Sequence, residues 1–379
     1  MTSELSSLCS YAKGKVSVDT LSKRNYVSTE NMMPNKGGIV DAGALPSAQY
    51  TQQYIKDDIL VSNIRPYFKK IWMADDDGGC SNDVLVFRAD RGCDSTFLYY
   101  ILANDAFFNY ASATSKGTKM PRGDKTAIMQ YKVPCFNYET QLRIGKLLRS
   151  IDDRIAVNKK INDNLYEIVN AYYTSLFKDV ECEMTTIGNY AERIYSGGTP
   201  TTSNAAYWDG TFGWFSSGET RNRFVISTEK SITQTGIDNS STKLASKHDI
   251  VMASAGQGFT RGQTSMLLID TYVNQSVIVI HADRNILPYL FWNLANRYEE
   301  LRAISDSSSI RGSLTTKMIA AFEIPCANND VIQTFSGFAW AVIPQIENNL
   351  LENERLAALR DSLLPKLMTG EIDVSAIQL

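Results

Sequence analysis

Apolar residues along this chain fall into two kinds of pattern. From Ile144 to Leu176 they step by four and three, through Ile144, Leu148, Ile151, Ile155, Leu165, Val169, Tyr172 and Leu176, with Asn158 and Asn162 at the central steps. The stepping returns through Phe335, Ala339, Val342, Ile346, Leu356, Leu363 and Leu367, with Asn349 and Asn353 at the centre and Arg360 beyond them. Unbroken 4–3 spacing is a heptad seam, so it predicts two long helices that each pack on a partner. A seam asparagine lowers stability but satisfies its amide in only one alignment. Asn158, Asn162, Asn349 and Asn353 are therefore expected to set the register of a helix pair. Pro344 has no N–H to donate and predicts a kink or restart in the second helix.

Outside the seams the apolar runs are short and sit between Gly-, Pro- and Asn-rich turns. Asp58 to Val61, Val84 to Phe87 and Tyr131 to Pro134 read as strands, and residues 97–110 as one buried amphipathic helix. These features recur. Asp58-Ile59-Leu60-Val61-Ser62 returns as Asp249-Ile250-Val251-Met252-Ala253, and Val133-Pro134-Cys135 as Ile324-Pro325-Cys326, both 191 positions on. Phe87-Arg88-Ala89-Asp90-Arg91 returns 193 positions on as Ile280-His281-Ala282-Asp283-Arg284, and a matching helix is expected from Tyr289 to Leu301. A period this long is a duplicated globular unit rather than a solenoid, whose repeats run at roughly 20–50 residues. The expected fold is α+β: two similar mixed α/β domains separated by two long antiparallel coiled-coil helices, related by a pseudo-two-fold. The division is head 1–137, central spacer helix 138–181, head 182–327 and C-terminal spacer helix 328–379. At ~1.5 Å per residue the first seam spans about 48 Å, which suits a ruler between two recognition heads.

Composition changes this picture little. A chain of 379 residues with 44% hydrophobic and 21% charged residues is an ordinary globular protein. No secretory leader is read at Met1 to Lys15, and no run is long enough to span a membrane, so a cytoplasmic location is expected. The six cysteines (Cys9, Cys80, Cys93, Cys135, Cys182, Cys326) form no C-x-x-C pair, and His248 and His281 lie at no metal-ligand spacing, so no metal is expected. Net charge is −3, yet residues 1–137 carry 16 basic against 14 acidic side chains and residues 328–379 only 3 against 7. The heads are near neutral, and the placement of cations must decide whether nucleic acid is a partner.

The expected chemistry is non-catalytic. Ala255-Gly256-Gln257-Gly258 lacks the third glycine of a dinucleotide loop, and Gly123 is followed by Asp124 where a phosphate loop has lysine. Two histidines in one head make no credible nucleophile set. What the loops do hold are side chains that contact phosphates and base edges. In the first head these are Lys36, Ser62, Asn63, Arg65, Lys69, Lys116, Lys119 and Arg122. In the second they are Gly198, Thr199, Trp214, Ser217, Arg221, Ser254, Gln257, Arg261, Ser308 and Arg311. Any one group could be an ordinary polar turn. Their recurrence at matching places in both copies points to a DNA-binding surface.

The ending Leu359-Arg360-Asp361-Ser362-Leu363-Leu364-Pro365-Lys366-Leu367-Met368-Thr369-Gly370-Glu371-Ile372 resembles that of type I restriction–modification specificity subunits. So does Ser196-Gly197-Gly198-Thr199-Pro200 with Tyr207-Trp208-Asp209-Gly210 and Trp214. The first head lacks a Gly-Gly-Thr-Pro counterpart and opens instead with Asn25-Tyr26-Val27-Ser28-Thr29-Glu30-Asn31. The resemblance implies a non-enzymatic subunit in which each head reads one half of a bipartite double-stranded DNA site. It further implies two docked adenine-N6 methyltransferase subunits and restriction subunits that can join them. No cofactor is then bound by this chain; S-adenosylmethionine, ATP and Mg2+ belong to the partners. Two other classes compete: an enzyme acting on DNA alone, and a coiled-coil scaffold without direct DNA readout.

Overall fold

The computed structural model describes residues 2–178, 183–256, 259–307 and 312–375. Two helices dominate it, Tyr138–Phe177 and Asn329–Thr369. The second runs unbroken through Pro344 and Pro365, so the restart expected at Pro344 does not occur. Proline there removes one backbone hydrogen bond, but Ala339, Ile343 and Ile346 around it are buried and hold the helix in place. The chain divides into two compact units, one of residues 1–155 with 355–379 and the other of residues 156–354. Each long helix is thus shared between units.

In the first unit, Cys9–Tyr11, Val84–Ala89, Ile59–Ser62 and Ile71–Met73 form an antiparallel sheet in that order. A second sheet orders Lys15–Ser17, Tyr50–Tyr54, Gly78–Cys80 and Tyr26–Val27, the last strand parallel to its neighbour. Strand Ile59–Ser62 is apolar at successive positions because both its faces are covered. Leu60, Val84 and Val86 pack on Val27, Tyr54 and Cys80 of the second sheet. Ile59, Val61, Leu85 and Phe87 face helices instead, among Phe97, Leu98, Ile101 and Phe107. Ile144 and Leu148 of the first long helix join this core, as do Leu364, Leu367 and Met368 of the second, and Val374.

The second unit repeats the plan. Ala191–Ser196, Val277–Ala282, Ile250–Ala253 and Thr264–Leu267 take the same order, with Phe224–Val225 added at the edge. Val251, Leu267, Val277 and Val279 pack on Phe215, Ala245 and Val273, while Ile250, Met252, Ile278 and Ile280 face helices and the aromatics Tyr166, Tyr173, Phe177 and Phe335. Both units anchor the central strand with a buried aspartate. Asp58 accepts two hydrogen bonds from Arg88 at 2.8 and 2.7 Å, and His281 Nδ1 lies 2.6 Å from Asp249. Each aspartate also accepts a backbone N–H, from Ile55 and Ser246, at 2.9 Å.

The single helix expected at 97–110 is two, Ser95–Ala103 and Asp105–Ala113. Asn104 divides them by accepting the Ala106 N–H on its side chain, a cap that outcompetes continuation. The second head likewise has Leu287–Asn296 and Tyr298–Ser307 in place of one helix.

The seam asparagines meet across the helix pair within the second unit. Asn158 Nδ2 donates to Asn353 Oδ1 at 3.0 Å and to Glu352 at 2.8 Å, while Asn349 Nδ2 donates to Asn162 Oδ1 at 2.7 Å. Asn162 Nδ2 reaches the Ile346 carbonyl at 3.2 Å. These contacts run in opposite senses along the two segments, which are antiparallel. In the first unit Arg360, a charge at a seam position, donates to Asp152 at 2.6 Å. Asp152 also accepts the Tyr100 hydroxyl at 2.6 Å, so the seam cation is neutralised inside its own unit.

Candidate nucleic-acid interface

Three loops of the first head meet at one surface. The turn between strands Ile59–Ser62 and Ile71–Met73 contains a short 3-10 helix, Pro66–Phe68, flanked by Arg65 and Lys69. Both flanking residues are left-handed, at φ 50° and 52°, an uncommon backbone for side chains this large. Asn35 and Lys36, also left-handed, donate their N–H groups to the carbonyls of Phe68 and Lys69 at 2.8 Å. The Lys36 and Lys69 ammonium groups converge on Asp105, at 2.9 and 2.8 Å, and hold its carboxyl below the usual range. The third loop, closed on itself by paired backbone bonds between Lys116 and Arg122 at 2.9 Å, docks through the Arg65 N–H on the Pro121 carbonyl at 2.8 Å and the Gly123 N–H on the Asn63 carbonyl at 3.1 Å.

Charge on this surface is largely matched. Lys116 pairs with Asp124 at 2.6 Å and Arg122 with Asp83 at 3.1 Å. Lys119 is exposed on the same loop. Arg65 stands apart on this surface, because its buried Nε finds no hydrogen-bond partner among the described residues, and the same is true of the buried Oδ1 of Asn63. Ser62 and Asn63 lie beneath the surface, at 3% and 7% exposure, so they shape the turn from below.

In the second head the Gly-Gly-Thr-Pro segment is a strap across strand Thr271–Val273. A Cβ at Gly197 would stand 1.9 Å from the Val273 carbonyl oxygen, and one at Gly198 would stand 2.1 Å from Ser241 Oγ, so neither tolerates a side chain. The Gly198 carbonyl accepts the indole N–H of Trp214 at 3.3 Å, and Trp208 packs edge-on to Trp214 at 5.0 Å. Thr199 donates to Gln275. Gly198 and Trp214 are therefore buried framework, whereas Ser217 and Arg221 lie on a short 3-10 helix at the surface. Arg221 donates to the Gly218 carbonyl at 2.7 Å and pairs with Glu229.

The loop after Ile250–Ala253 is the counterpart of the Arg65 turn. Ser254, also buried, accepts the Leu314 N–H at 2.8 Å. Arg261 is 8% exposed and committed inward, donating to the Gly312 carbonyl at 2.6 Å and pairing with Asp306. It was expected to face DNA; instead it clamps the neighbouring loop because a buried guanidinium needs an anion. Gln257, Ser308 and Arg311 lie outside the described residues.

One equivalence escaped the sequence. Strand Tyr26–Val27 runs parallel to Gly78–Cys80 as Trp214–Phe215 runs parallel to Tyr272 and Val273. After each strand a serine N–H is captured by a buried polar side chain three residues on: Ser28 by Asn31 at 2.6 Å, and Ser216 by Glu219 at 2.8 Å. The opening Asn25–Asn31 thus corresponds to the Trp214 loop, not to Gly-Gly-Thr-Pro. The signal was a serine two positions after an aromatic residue, followed three positions on by a polar side chain, in both copies. Its chemistry had changed from amide to carboxylate.

Among the described residues no group of three or more His, Cys, Asp or Glu side chains could hold a metal ion, and no helix is long and apolar enough to cross a membrane. Two units that share the strand order of one sheet, each with a polar loop surface and each holding part of both long helices, define a class of duplicated subunit. The family model for the type I restriction modification DNA specificity domain matches residues 1–167 and again 180–331, and the chain belongs to that family. It is 21% identical to the HindI specificity subunit of Haemophilus influenzae over 436 residues, covering 92% of this chain and 94% of the relative. Over 207 residues it is 28% identical to the EcoR124I/EcoR124II specificity subunit of Escherichia coli, covering 52% and 51%. The crystal structure of the S subunit of M. genitalium shares the fold, with a TM-score of 0.62 at 16% identity over 97% and 96% of the two chains. The role of the chain is DNA sequence recognition as a type I specificity subunit.

Proposed function

We propose that each head reads one half of a bipartite DNA sequence and that the chain itself performs no catalysis. The observation that carries this reading is the repetition of one sheet order, β-strand for β-strand, in both units. Two similar readers suit a site with two similar, separated parts. In the first head Arg65, Lys69, Lys116, Lys119 and Arg122 would face the duplex, with Lys36 setting the turn. In the second head Ser217, Arg221 and Thr199 would do so, alongside Gln257, Ser308 and Arg311. Ser62, Asn63, Gly198, Trp214, Ser254 and Arg261 would position these loops from beneath. Most surface cations here already have an internal carboxylate, so methyltransferase subunits that clamp the duplex would supply much of the phosphate neutralisation.

The partners in this reading are two methyltransferase subunits, joined by two restriction subunits, in the cytoplasm. S-adenosylmethionine, ATP and Mg2+ would be held by those subunits and not by this chain. The test is a titration of the assembled methyltransferase complex against duplexes altered in one half-site at a time. Arg65→Ala should weaken binding by about 1–3 kcal/mol and relax discrimination at one position of the first half-site only, if the guanidinium contacts a base edge. An equal loss on every duplex sequence would assign Arg65 to phosphate. DNA binding left intact by Arg65→Ala and Arg221→Ala together would favour a scaffold without direct readout.

A further inference from the structure

The same turn in each head presents an aromatic side chain to solvent. In the first head Tyr67 and Phe68 are 52% and 39% exposed, their rings 4.8 Å apart. In the second head Phe259, 191 positions after Phe68, is 85% exposed. Both turns join equivalent strands of equivalent sheets, Ile59–Ser62 to Ile71–Met73 and Ile250–Ala253 to Thr264–Leu267. The backbone at Phe68 and at Phe259 is held while the rings are left outside. Phe68 accepts the Asn35 N–H at 2.8 Å, and the Tyr298 hydroxyl donates to the Phe259 carbonyl at 2.7 Å. An exposed phenylalanine forfeits the burial that would stabilise the fold, so its recurrence on one braced turn marks a contact surface.

The occupant is indicated by the surroundings. Phe68 lies between Arg65 and Lys69, and Lys70 Nζ stands 5.9 Å from its ring centroid. An apolar ring rimmed by cations matches the chemistry of a duplex, whose stacked bases lie inside two rows of phosphates. We propose that Tyr67-Phe68 and Phe259 are wedges that enter base steps of the two half-sites, partly unstacking each. Each head then selects sequence through the deformability of the step it opens as well as through base edges. The wedge rests on the DNA-reading role proposed above.

The experiment uses the assembled methyltransferase complex and its mapped site, with 2-aminopurine placed at one position at a time in each half-site. The methylated adenines themselves are left unsubstituted. Wild-type complex should raise the fluorescence at one step in each half. Tyr67→Ala with Phe68→Ala should remove the rise in the first half only, and Phe259→Ala in the second half only. Affinity should fall by roughly 5- to 150-fold, the equivalent of about 1–3 kcal/mol for a lost stacked base. The salt dependence of binding should not change, because no phosphate contact is lost. Phe259→Leu, which keeps the apolar bulk, should retain part of the signal. The wedge is overturned if wild-type complex binds its site with no fluorescence rise, or if the rise persists in the variants. It is equally overturned if the variants lose methyltransferase assembly instead, which would place the rings in a protein interface. Wild-type complex without preference for a bipartite site would refute the DNA-reading role itself, before any variant is made.

Discussion

At the scale of single residues, side chains of one type do opposite work in this fold, and burial separates them. Arg65 and Arg261 occupy equivalent turns and looked equivalent as letters. Both keep a buried Nε with no hydrogen-bond partner among the described residues, but Arg65 sits on a left-handed backbone, whereas the amino groups of Arg261 are locked on Asp306 and the Gly312 carbonyl. No spacing rule distinguishes them, because the deciding carboxylate lies 45 positions away and is brought in by the fold. His248 offers a residue-scale test. Burial, then the neighbouring cations Lys247 and Arg284, lowers its pKa, while Glu347 and Asp249 act the other way; its ring packs 4.6 Å from that of Trp340. Its folded value lies below the ordinary ~6.5, so the unfolded chain binds the proton more readily. Stability should therefore fall as pH drops from about 6.5 towards the folded value. His248→Asn, which tolerates the left-handed φ of 80°, should flatten that slope relative to wild type in urea titrations at pH 7.5 and 5.5. Equal slopes would remove His248 from the acid response.

The long helices are the elements that the sequence described best, because heptad spacing reports directly on which residues face a partner. All four asparagines fall where the seam put them and bond across it in crossed pairs. Short elements were less legible. Strands such as Ile59–Ser62 were visible as apolar runs, but the split at Asn104 depends on one side-chain cap, and the strand Tyr26–Val27 is two residues long. Asn162 and Asn349 should be energetically coupled. Asn349→Leu alone strands the Asn162 amide oxygen and should cost about 1–3 kcal/mol, with Asn162→Leu as the other single variant. Replacing both by leucine should recover much of that loss, giving a coupling of roughly 0.5–3 kcal/mol in a double-mutant cycle read by thermal unfolding. Additive losses would mean that each amide finds water instead.

For the whole molecule, the boundaries of the compact units differ from the boundaries of the repeats. The sequence divides into head, helix, head, helix, yet the first unit needs residues 355–379 as well as 1–155. Leu364, Leu367, Met368 and Val374 are buried in its core. Each such side chain contributes roughly 1.5–3 kcal/mol, so losing four removes about as much as the 5–15 kcal/mol that stabilises a typical domain. A chain ended at Glu354 should therefore lose hydrogen-exchange protection throughout residues 2–137 while residues 183–327 keep theirs. Protection retained in the first head would show that it folds without the C-terminal helix. Periodicity could not reveal this dependence, since a repeat shows which segments are alike and not which are packed together.

The central claim, that two heads read two halves independently, is tested most directly by mapping N6-methyladenine in cells carrying a chimaera and the methyltransferase. The exchange should follow the structural units: residues 1–155 and 355–379 from a relative of known, different specificity, and residues 156–354 from this chain. The expected map joins the relative's half-site to the second half-site of this chain, each unaltered. A map in which both halves change together, or in which the exchanged head leaves the sequence unchanged, would contradict it.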